Sequence, residues 1–273
     1  MPSVTYLQTG LNFIGKLIRH RGLIKNLVIR DLKSRYVGST MGFFWSVIHP
    51  LVLLASYTFV FSVIMKQRLG PEAGTSSFAI YLFCGILPWL VFQETLTRSS
   101  NILVDHANLI TKTLFPAEIL PVSVLIANLI NHFIGLGIFL IVSIFYLHKI
   151  SWLVILIPVY LFALSLFALG LSWFLASVQV FLRDTAQILT VVLTFWFWFT
   201  PIFFDEQRIP QGLRVVMQLN PLAAVVTAYR NCLLNHEFPR VQGLLLLYAF
   251  AVATFIGGGL FFKYTKRTFA DVL

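Results

Sequence analysis

The 273-residue sequence predicts an all-helical integral membrane protein: six spans, an interfacial helix ahead of them, and a re-entrant helical hairpin between spans five and six. Three observations predict it. Hydrophobic residues make up 58% of the chain and charged residues only 11%, whereas soluble domains carry roughly 25% charge. With a mean hydropathy of +0.86, the chain lacks the polar groups to cover a globular surface. Six apolar runs then follow one another, each near the ~20 residues needed to cross a bilayer. No repeat, low-complexity tract or soluble domain separates them. The chain therefore reads as one membrane domain over 1–273, with residues 1–40 ahead of the core, 41–262 forming it and 263–273 as a tail.

In the first segment Leu23, Ile24, Leu27, Val28 and Leu32 recur at helical spacing, with Lys25, Arg30 and Lys33 away from them. This reads as a helix in the membrane interface, apolar side in the acyl boundary and bases at the phosphates. Asp31 falls inside the apolar arc, where a lone carboxylate is expensive. It either reaches the headgroup layer or pairs with Arg30, Arg35 or a neighbouring element and fixes the helix against the first span.

The spans are expected at residues 41–65, 78–96, 120–147, 151–180, 188–204 and 244–262. The first follows a basic stretch without a small-residue cleavage pattern, so it reads as a span and not as a signal peptide. Pro50 after His49 predicts a kink in it. The third and fourth runs exceed the required length and should tilt or extend beyond the hydrocarbon. Lys and Arg, among them Arg19, Arg98, Lys112, Arg183 and Lys263, concentrate on the side of the N-terminus, which places both termini in the cytoplasm. The net charge of +10 thus reports topology and attraction to anionic lipid headgroups, and it supplies no argument for nucleic acid. Glu94 and Arg98 stand at the spacing of a helix-surface ion pair.

Residues 97–121 are more polar yet still periodic. Ile102, Leu103, Leu109 and Ile110 predict one apolar side of a short cytoplasmic helix, leaving Asn101, Asp105, His106 and Asn108 exposed. Such a helix suits docking to a soluble partner; the alternative is a plain connection. Arg183 and Asp184 read as a solvated pair. Residues 205–243 contain two short apolar stretches split at Asn220-Pro221, where proline breaks a helix and restricts its predecessor. Each arm is too short to cross, which predicts a hairpin dipping into the membrane, tolerated only where protein or water covers its backbone. Arg230 on the second arm is costly unless paired or facing a cavity.

Aromatic residues reach 15%, with 27 Phe, 9 Tyr and 6 Trp. The run of Phe195, Trp196, Phe197, Trp198 and Phe199, with Phe203 and Phe204 beyond, is denser than an interfacial belt needs. It reads either as lipid-facing and packing rings or as a lining on which sugar rings stack. Phe43, Phe44 and Trp45 at the head of the first span carry the same two readings.

The sequence has no GxxxxGK[ST], so it should bind no nucleotide itself. It has no HExxH, no GxSxG, and its cysteines, Cys84 and Cys232, form neither a disulfide framework nor a metal site. No catalytic residue, metal or other cofactor is expected. His132 reads as a packing residue. With no carboxylate chain of the proton-relay kind, uphill transport would need energy from elsewhere.

Four stretches, RDLKSRYVGSTMGFFWSVIHP (30–50), LITKTLFPAEILP (109–121), FLRDTAQILTVVLTFWFWFTPIFF (181–204) and NPLAAVVTAYRNCLL (220–234), occur in an order that resembles the membrane-spanning subunits of type-2 ABC transporters. Within these the chain is similar to permeases exporting lipid-linked polysaccharides: O-antigen, capsule and teichoic acid. The resemblance implies a homodimer in a bacterial inner membrane, with two copies of a separate cytoplasmic ATPase holding ATP and magnesium. It implies a polyprenyl-pyrophosphate-linked glycan as cargo, with O-antigen first. Roles follow by the same resemblance. Lys25, Arg30, Asp31, Lys33 and Arg35 belong to the interface helix that meets the lipid phosphate, and Asn101, Asp105, His106, Asn108 and Lys112 to the ATPase-docking element. Asn220, Pro221 and Arg230 would form the outer gate by that resemblance, while on the stacking reading of the residues themselves Trp45, Phe195, Trp196, Trp198 and Phe199 would line the glycan path. A small-lipid or drug exporter, a membrane-embedded transferase and a channel are the competing classes.

Overall fold

The computed structural model describes residues 15, 19–35, 44–66, 75, 77–113, 115–147, 151–204, 212 and 217–273. The expectations for Phe43, for the His49 side chain and for most of the first hairpin arm lie outside the described residues. Among the described residues every regular element is helical. In chain order these are α1 (Arg21–Ser34), α2 (Trp45–Thr58) with a π-helical continuation at Phe59–Ile64, α3 (Phe78–Asp105), α4 (Ala107–Lys112) and α5 (Ile119–Leu147). A 3-10 turn at Trp152–Leu156 leads into α6 (Ile157–Phe181), followed by α7 (Thr185–Trp198). Then come α8 (Pro221–Arg230), running on as a π-helical turn at Asn231–Asn235, α9 (Val241–Thr265), and a 3-10 turn at Lys266–Thr268 before α10 (Phe269–Val272).

Among the described residues four helical stretches are long and apolar enough to cross a membrane: Phe78–Asp105, Ile119–Phe145, Trp152–Phe181 and Val241–Val272. The protein is thus a multi-pass membrane protein. Two other apolar helices, Pro50–Ile64 and Thr185–Trp198, are shorter. At 1.5 Å per residue α7 extends about 21 Å, below the ~30 Å of hydrocarbon. The expected fifth span, 188–204, is helical only to Trp198 and closes in turns through residue 204.

The second span departs from expectation in the opposite sense. Instead of ending near residue 96, α3 continues without a break to Asp105. No proline or glycine interrupts residues 97–105, and Leu96, Ser99, Ser100 and Leu103 prolong its buried stripe at helical spacing. The chain breaks only at His106 (φ −112°, ψ 23°), after which α4 turns away.

α3 is buried along most of its length, packed by α5 and α6, whereas α9 is largely exposed to the surroundings. The apolar core has two parts. One, towards the Phe78 end of α3, gathers Trp89, Phe92, Phe167, Tyr229 and their neighbours. The other lies at the opposite, basic end and contains Ile24, Leu27 and Val28 of α1 with Leu103, Leu120, Trp173, Phe262 and Phe269. The apolar side of α1 therefore covers α5 and its neighbours, not the acyl boundary expected from its pattern. An amphipathic arc reports only that it seeks an apolar partner, and lipid and protein core are equally apolar.

Close approach of α6 and α9 depends on two glycines. A Cβ at Gly170 would meet the Phe255 amide nitrogen at 2.5 Å, and one at Gly258 would meet the Gly170 carbonyl carbon at 2.8 Å. In a membrane, where van der Waals packing has to hold helices together, small residues at the crossing permit this contact.

Candidate functional site

The basic end is organised around Asp31. Arg35, one turn on, donates to Asp31 Oδ2 through Nη2 at 3.1 Å and Nε at 3.3 Å. Arg98 of α3 grips the same carboxylate with both Nη groups, Nη1 at 2.9 Å from Oδ2 and Nη2 on Oδ1. The pairing reading of Asp31 thus holds, and the helix is fixed to the second span's α3 more than to the first span. Arg35 extends the network through Nη1 to Glu94 (3.4 Å) and Nη2 to Asn128 Oδ1 (2.6 Å), and Asn128 Nδ2 reaches Thr95 Oγ1 at 3.0 Å. Two carboxylates and two guanidiniums, partly shielded from solvent, join α1, α3 and α5. In this arrangement Arg98 turns to Asp31 while Glu94 receives Arg35, so the expected i, i+4 pair is replaced by bonds between helices.

Lys25, Arg30 and Lys33 occupy the exposed arc of α1. Arg30 Nη2 lies 2.8 Å from His106 Nε2, and His106 Nδ1 lies 3.0 Å from Ile102 O. Both bonds are met when the ring carries its proton on Nδ1. His106 is therefore partly covered, as is Asn101, whose Oδ1 accepts from Gln179 Nε2 at 2.9 Å. Gln179 also donates to Arg183 O and accepts from Ala186 N, both 2.9 Å, which sets the turn between α6 and α7. Of the expected docking residues, Asp105, Asn108 and Lys112 are exposed on one surface at the α3–α4 joint. α4 is backed by α10. α10 is anchored by Phe269, buried between Phe262 and Phe181, and the 3-10 turn ahead of it by an ion pair from Lys266 to Glu118.

At the other end, Asn220 and Pro221, read from the sequence as the break between two short helical stretches, start the second of them. Proline fits the first helical position, whose N–H needs no partner. Asn220 Oδ1 caps the helix by accepting from Leu222 N at 3.0 Å. The same amide ties α8 to the end of α7: Oδ1 accepts from Trp196 Nε1 (3.0 Å), and Nδ2 donates to Phe199 O (3.2 Å) and Thr200 Oγ1 (3.1 Å). Arg230 is buried, and its charge is met by carbonyls just beyond the C-terminus of α7: Nη1 to Pro201 O at 2.5 Å and Nη2 to Ile202 O at 2.6 Å. A helix C-terminus carries partial negative charge that favours a cation. The guanidinium also lies 3.7 Å over the Tyr81 ring, a cation–π contact. α8 itself is buried between α3 and α9.

The aromatic run divides by side. Phe195, Trp198 and Phe199 are 63%, 55% and 47% exposed, in line with Ile188, Val191 and Val192 on one stripe of α7. Trp196 faces inward, edge-on to Phe92 and Phe167. Within one chain it supports the start of α8 through Asn220 and does not join the exposed stripe.

Between these ends a cleft of about 270 Å³ opens where α1, α2, α3 and α5 meet. Arg35, Trp45 and Glu94 stand at its basic side, and Asn131, His132 and Gly135 lie deeper. The ring of His132 is satisfied, with Nδ1 3.3 Å from Leu87 O and Nε2 3.0 Å from Tyr229 OH. Asn128, Gln179 and Tyr229 were not singled out by sequence reasoning, and Arg98 was read only as the helix-surface partner of Glu94. Asn128 and Gln179 each interrupt a long apolar run, and a lone polar residue inside a span needs a partner; that signal could have found them.

A multi-pass helical protein, with a charged network at one end and the capped, buried helix α8 at the other, is the class that fold and site define. The chain matches the ABC-2 type transporter family over residues 22–234 and belongs to it. It is 31% identical over 263 residues to the O-antigen export system permease protein RfbA of Myxococcus xanthus, covering 96% of this chain and 99% of that one. Another O-antigen export system permease protein RfbA, from Klebsiella pneumoniae, is 28% identical over 253 residues, 89% of this chain and 92% of that one. The polysialic acid transport protein KpsM of Escherichia coli is 22% identical over 242 residues, covering 87% and 92%.

Proposed function

We propose that this chain is the transmembrane subunit of an ATP-driven exporter that moves lipid-linked polysaccharide, O-antigen in the first instance, from the cytoplasmic to the outer face of a bacterial inner membrane. The observation that carries this reading is that similarity to an O-antigen export permease takes in 96% of this chain and 99% of the relative, and so includes both ends of the bundle. The similarity to a polysialic acid transport protein favours a second reading, with another polysaccharide such as capsule as cargo.

In this reading the basic end is cytoplasmic, as are both termini, and the chain crosses six times, with α2 and α7 as the short crossings of a re-entrant, hairpin-closed bundle. Two copies pair, and the exposed apolar stripes of α2 and α7 lie along the path between them. Phe195, Trp198 and Phe199, together with Trp45, offer ring faces to the moving sugars, and Trp196 holds the hairpin behind them. Lys25, Arg30 and Lys33 attract the lipid phosphates, while Asp31 and Arg35 hold α1 to α3. Two copies of a separate ATPase, which binds ATP and magnesium, dock on Asp105, Asn108 and Lys112. Because α4 joins α3 through the single residue His106, a push on α4 reaches Arg98 and Glu94, and through them α1. ATP must bind two states of the assembly differently for this to bias transport. Asn220, Pro221 and Arg230 keep the outer gate seated on the end of α7.

The test is deletion of the gene in its own host. Surface polysaccharide should vanish and lipid-linked glycan should accumulate on the cytoplasmic face of the membrane, and the wild-type gene should reverse both. Unchanged surface polysaccharide, with loss of a small lipid or drug from the medium, would overturn the polysaccharide reading.

A further inference from the structure

We infer that the cleft between α1, α2, α3 and α5 is a binding site for one neutral hydroxylated ring, a pyranose carried on a lipid anchor, and not for its phosphate. The inference goes beyond the proposed function and rests on it only in taking the ring to be the leading sugar of the exported chain.

Four observations point there. The charges at the cleft cancel, because Asp31 and Glu94 answer Arg35 and Arg98 through the ion pairs described above. A site with no net charge gives an anion no advantage over the exposed bases Lys25, Arg30 and Lys33 a few residues away. Deeper in, Asn131 Oδ1 is buried and, among the described residues, has no hydrogen-bond partner. A buried polar atom without a partner costs free energy, and a ligand hydroxyl satisfies it in either orientation of the amide, since it both donates and accepts. Beside these polar groups stand Leu87, Leu90 and Val91 together with the half-exposed ring of Trp45, surfaces suited to the C–H faces of a sugar. Finally, about 270 Å³ lies below the roughly 300–1,000 Å³ of drug-sized pockets, which limits the occupant to one ring. A diphosphate held on the outer arc of α1 would present its attached sugar at the mouth of the cleft.

The experiment uses the full-length chain in phosphatidylcholine nanodiscs, with bound lipid counted by native mass spectrometry. The probes are monoglucosyl diacylglycerol, phosphatidic acid of the same chains, and farnesyl-diphosphate-linked glucose. Monoglucosyl diacylglycerol should bind one per chain, and phosphatidic acid should not displace it. Asn131→Leu should weaken its binding about tenfold, as expected for one buried hydrogen bond. Gly135→Ala narrows the cleft from another wall, where a Cβ meets Leu87 Cδ2 at 2.8 Å, and should weaken binding without touching a polar group. Displacement by the farnesyl probe assigns the site to the transported chain; binding of the diacylglycerol probe alone assigns it to a resident glycolipid. Either upholds a hydroxylated-ring site. Equal or tighter binding of phosphatidic acid to the wild-type chain overturns the inference, as does glycolipid binding that neither substitution alters. The wild-type comparison decides the matter even if a variant fails to fold. Failure here with normal polysaccharide export in the host leaves the proposed function intact, and loss of that function with intact probe binding does the converse.

Discussion

Replacing Gly258 with alanine should separate two helices that nothing else can hold as closely. The added methyl would lie 2.8 Å from the carbonyl carbon of Gly170, 3.2 Å from its Cα and nearer still to its oxygen. These are backbone atoms, so no side chain can rotate away. Carbon atoms rest at about 3.5–4.0 Å, which forces α6 and α9 apart by roughly 1 Å. Overpacking of this kind costs about 1–3 kcal/mol. The separation also loosens the ring pairs Trp173–Phe255 (5.2 Å) and Phe174–Phe261 (5.0 Å) across the same crossing, each about 0.5–1.5 kcal/mol. Alanine returns up to ~1 kcal/mol of helix propensity, leaving a net loss of about 2–3 kcal/mol. Gly257 supplies the control, because a Cβ there meets nothing within 4 Å and alanine should be neutral or mildly stabilising. Reversible unfolding of the two variants in mixed micelles measures the difference. If Gly258→Ala unfolds at the same denaturant mole fraction as Gly257→Ala, the reasoning about the crossing is wrong.

Asp31→Asn leaves Arg35 and Arg98 facing one another without their shared carboxylate. It should cost about 2–3 kcal/mol, at the lower end for a broken buried pair because the groups are only partly covered; a thermal melt reads it, and adding Arg98→Gln should recover part of the loss. Arg230→Lys keeps the charge but cannot fork onto the Pro201 and Ile202 carbonyls, so stability should fall by about 1.5–3 kcal/mol; a variant as stable as wild type would remove the carbonyl cap from the account. Trp196→Ala should lower the melting temperature, because it deletes the bond to Asn220 and two ring contacts. Trp198→Ala loses ring contacts to Phe197 and Phe203 but not the tie to Asn220, so it should lower the melt less than Trp196→Ala while slowing export of surface polysaccharide; normal export by Trp198→Ala would count against the sugar-lining role.

Much of the fold was legible because its causes are local. The apolar runs of α3, α5, α6 and α9, the amphipathic arc of α1 and the helix start at Asn220-Pro221 each depend on residues within a few turns of one another. The resemblance to type-2 ABC permeases rested on short stretches of the same local kind, and family membership agrees with it. Helix ends were less legible. α3 overran its expected end because nothing in residues 97–105 opposes a helix, and polarity marks where hydrocarbon should stop, not where hydrogen bonding does.

By itself the sequence determined that this protein is helical, that it lives in a membrane and which segments are amphipathic, since composition and periodicity act along the chain. Only the tertiary structure decided who meets whom. Asp31 could have faced a headgroup or any of several bases, and its partner Arg98 lies 67 residues away. Arg230 looked like an expense until the carbonyls after α7 were brought beneath it. Of the three consecutive glycines at 257–259 only Gly258 faces the Gly170 backbone, because helix phase and crossing angle select one residue in a run that sequence leaves equivalent. Ion pairs, caps and close crossings depend on distances between segments, and those distances exist only once the helices have packed.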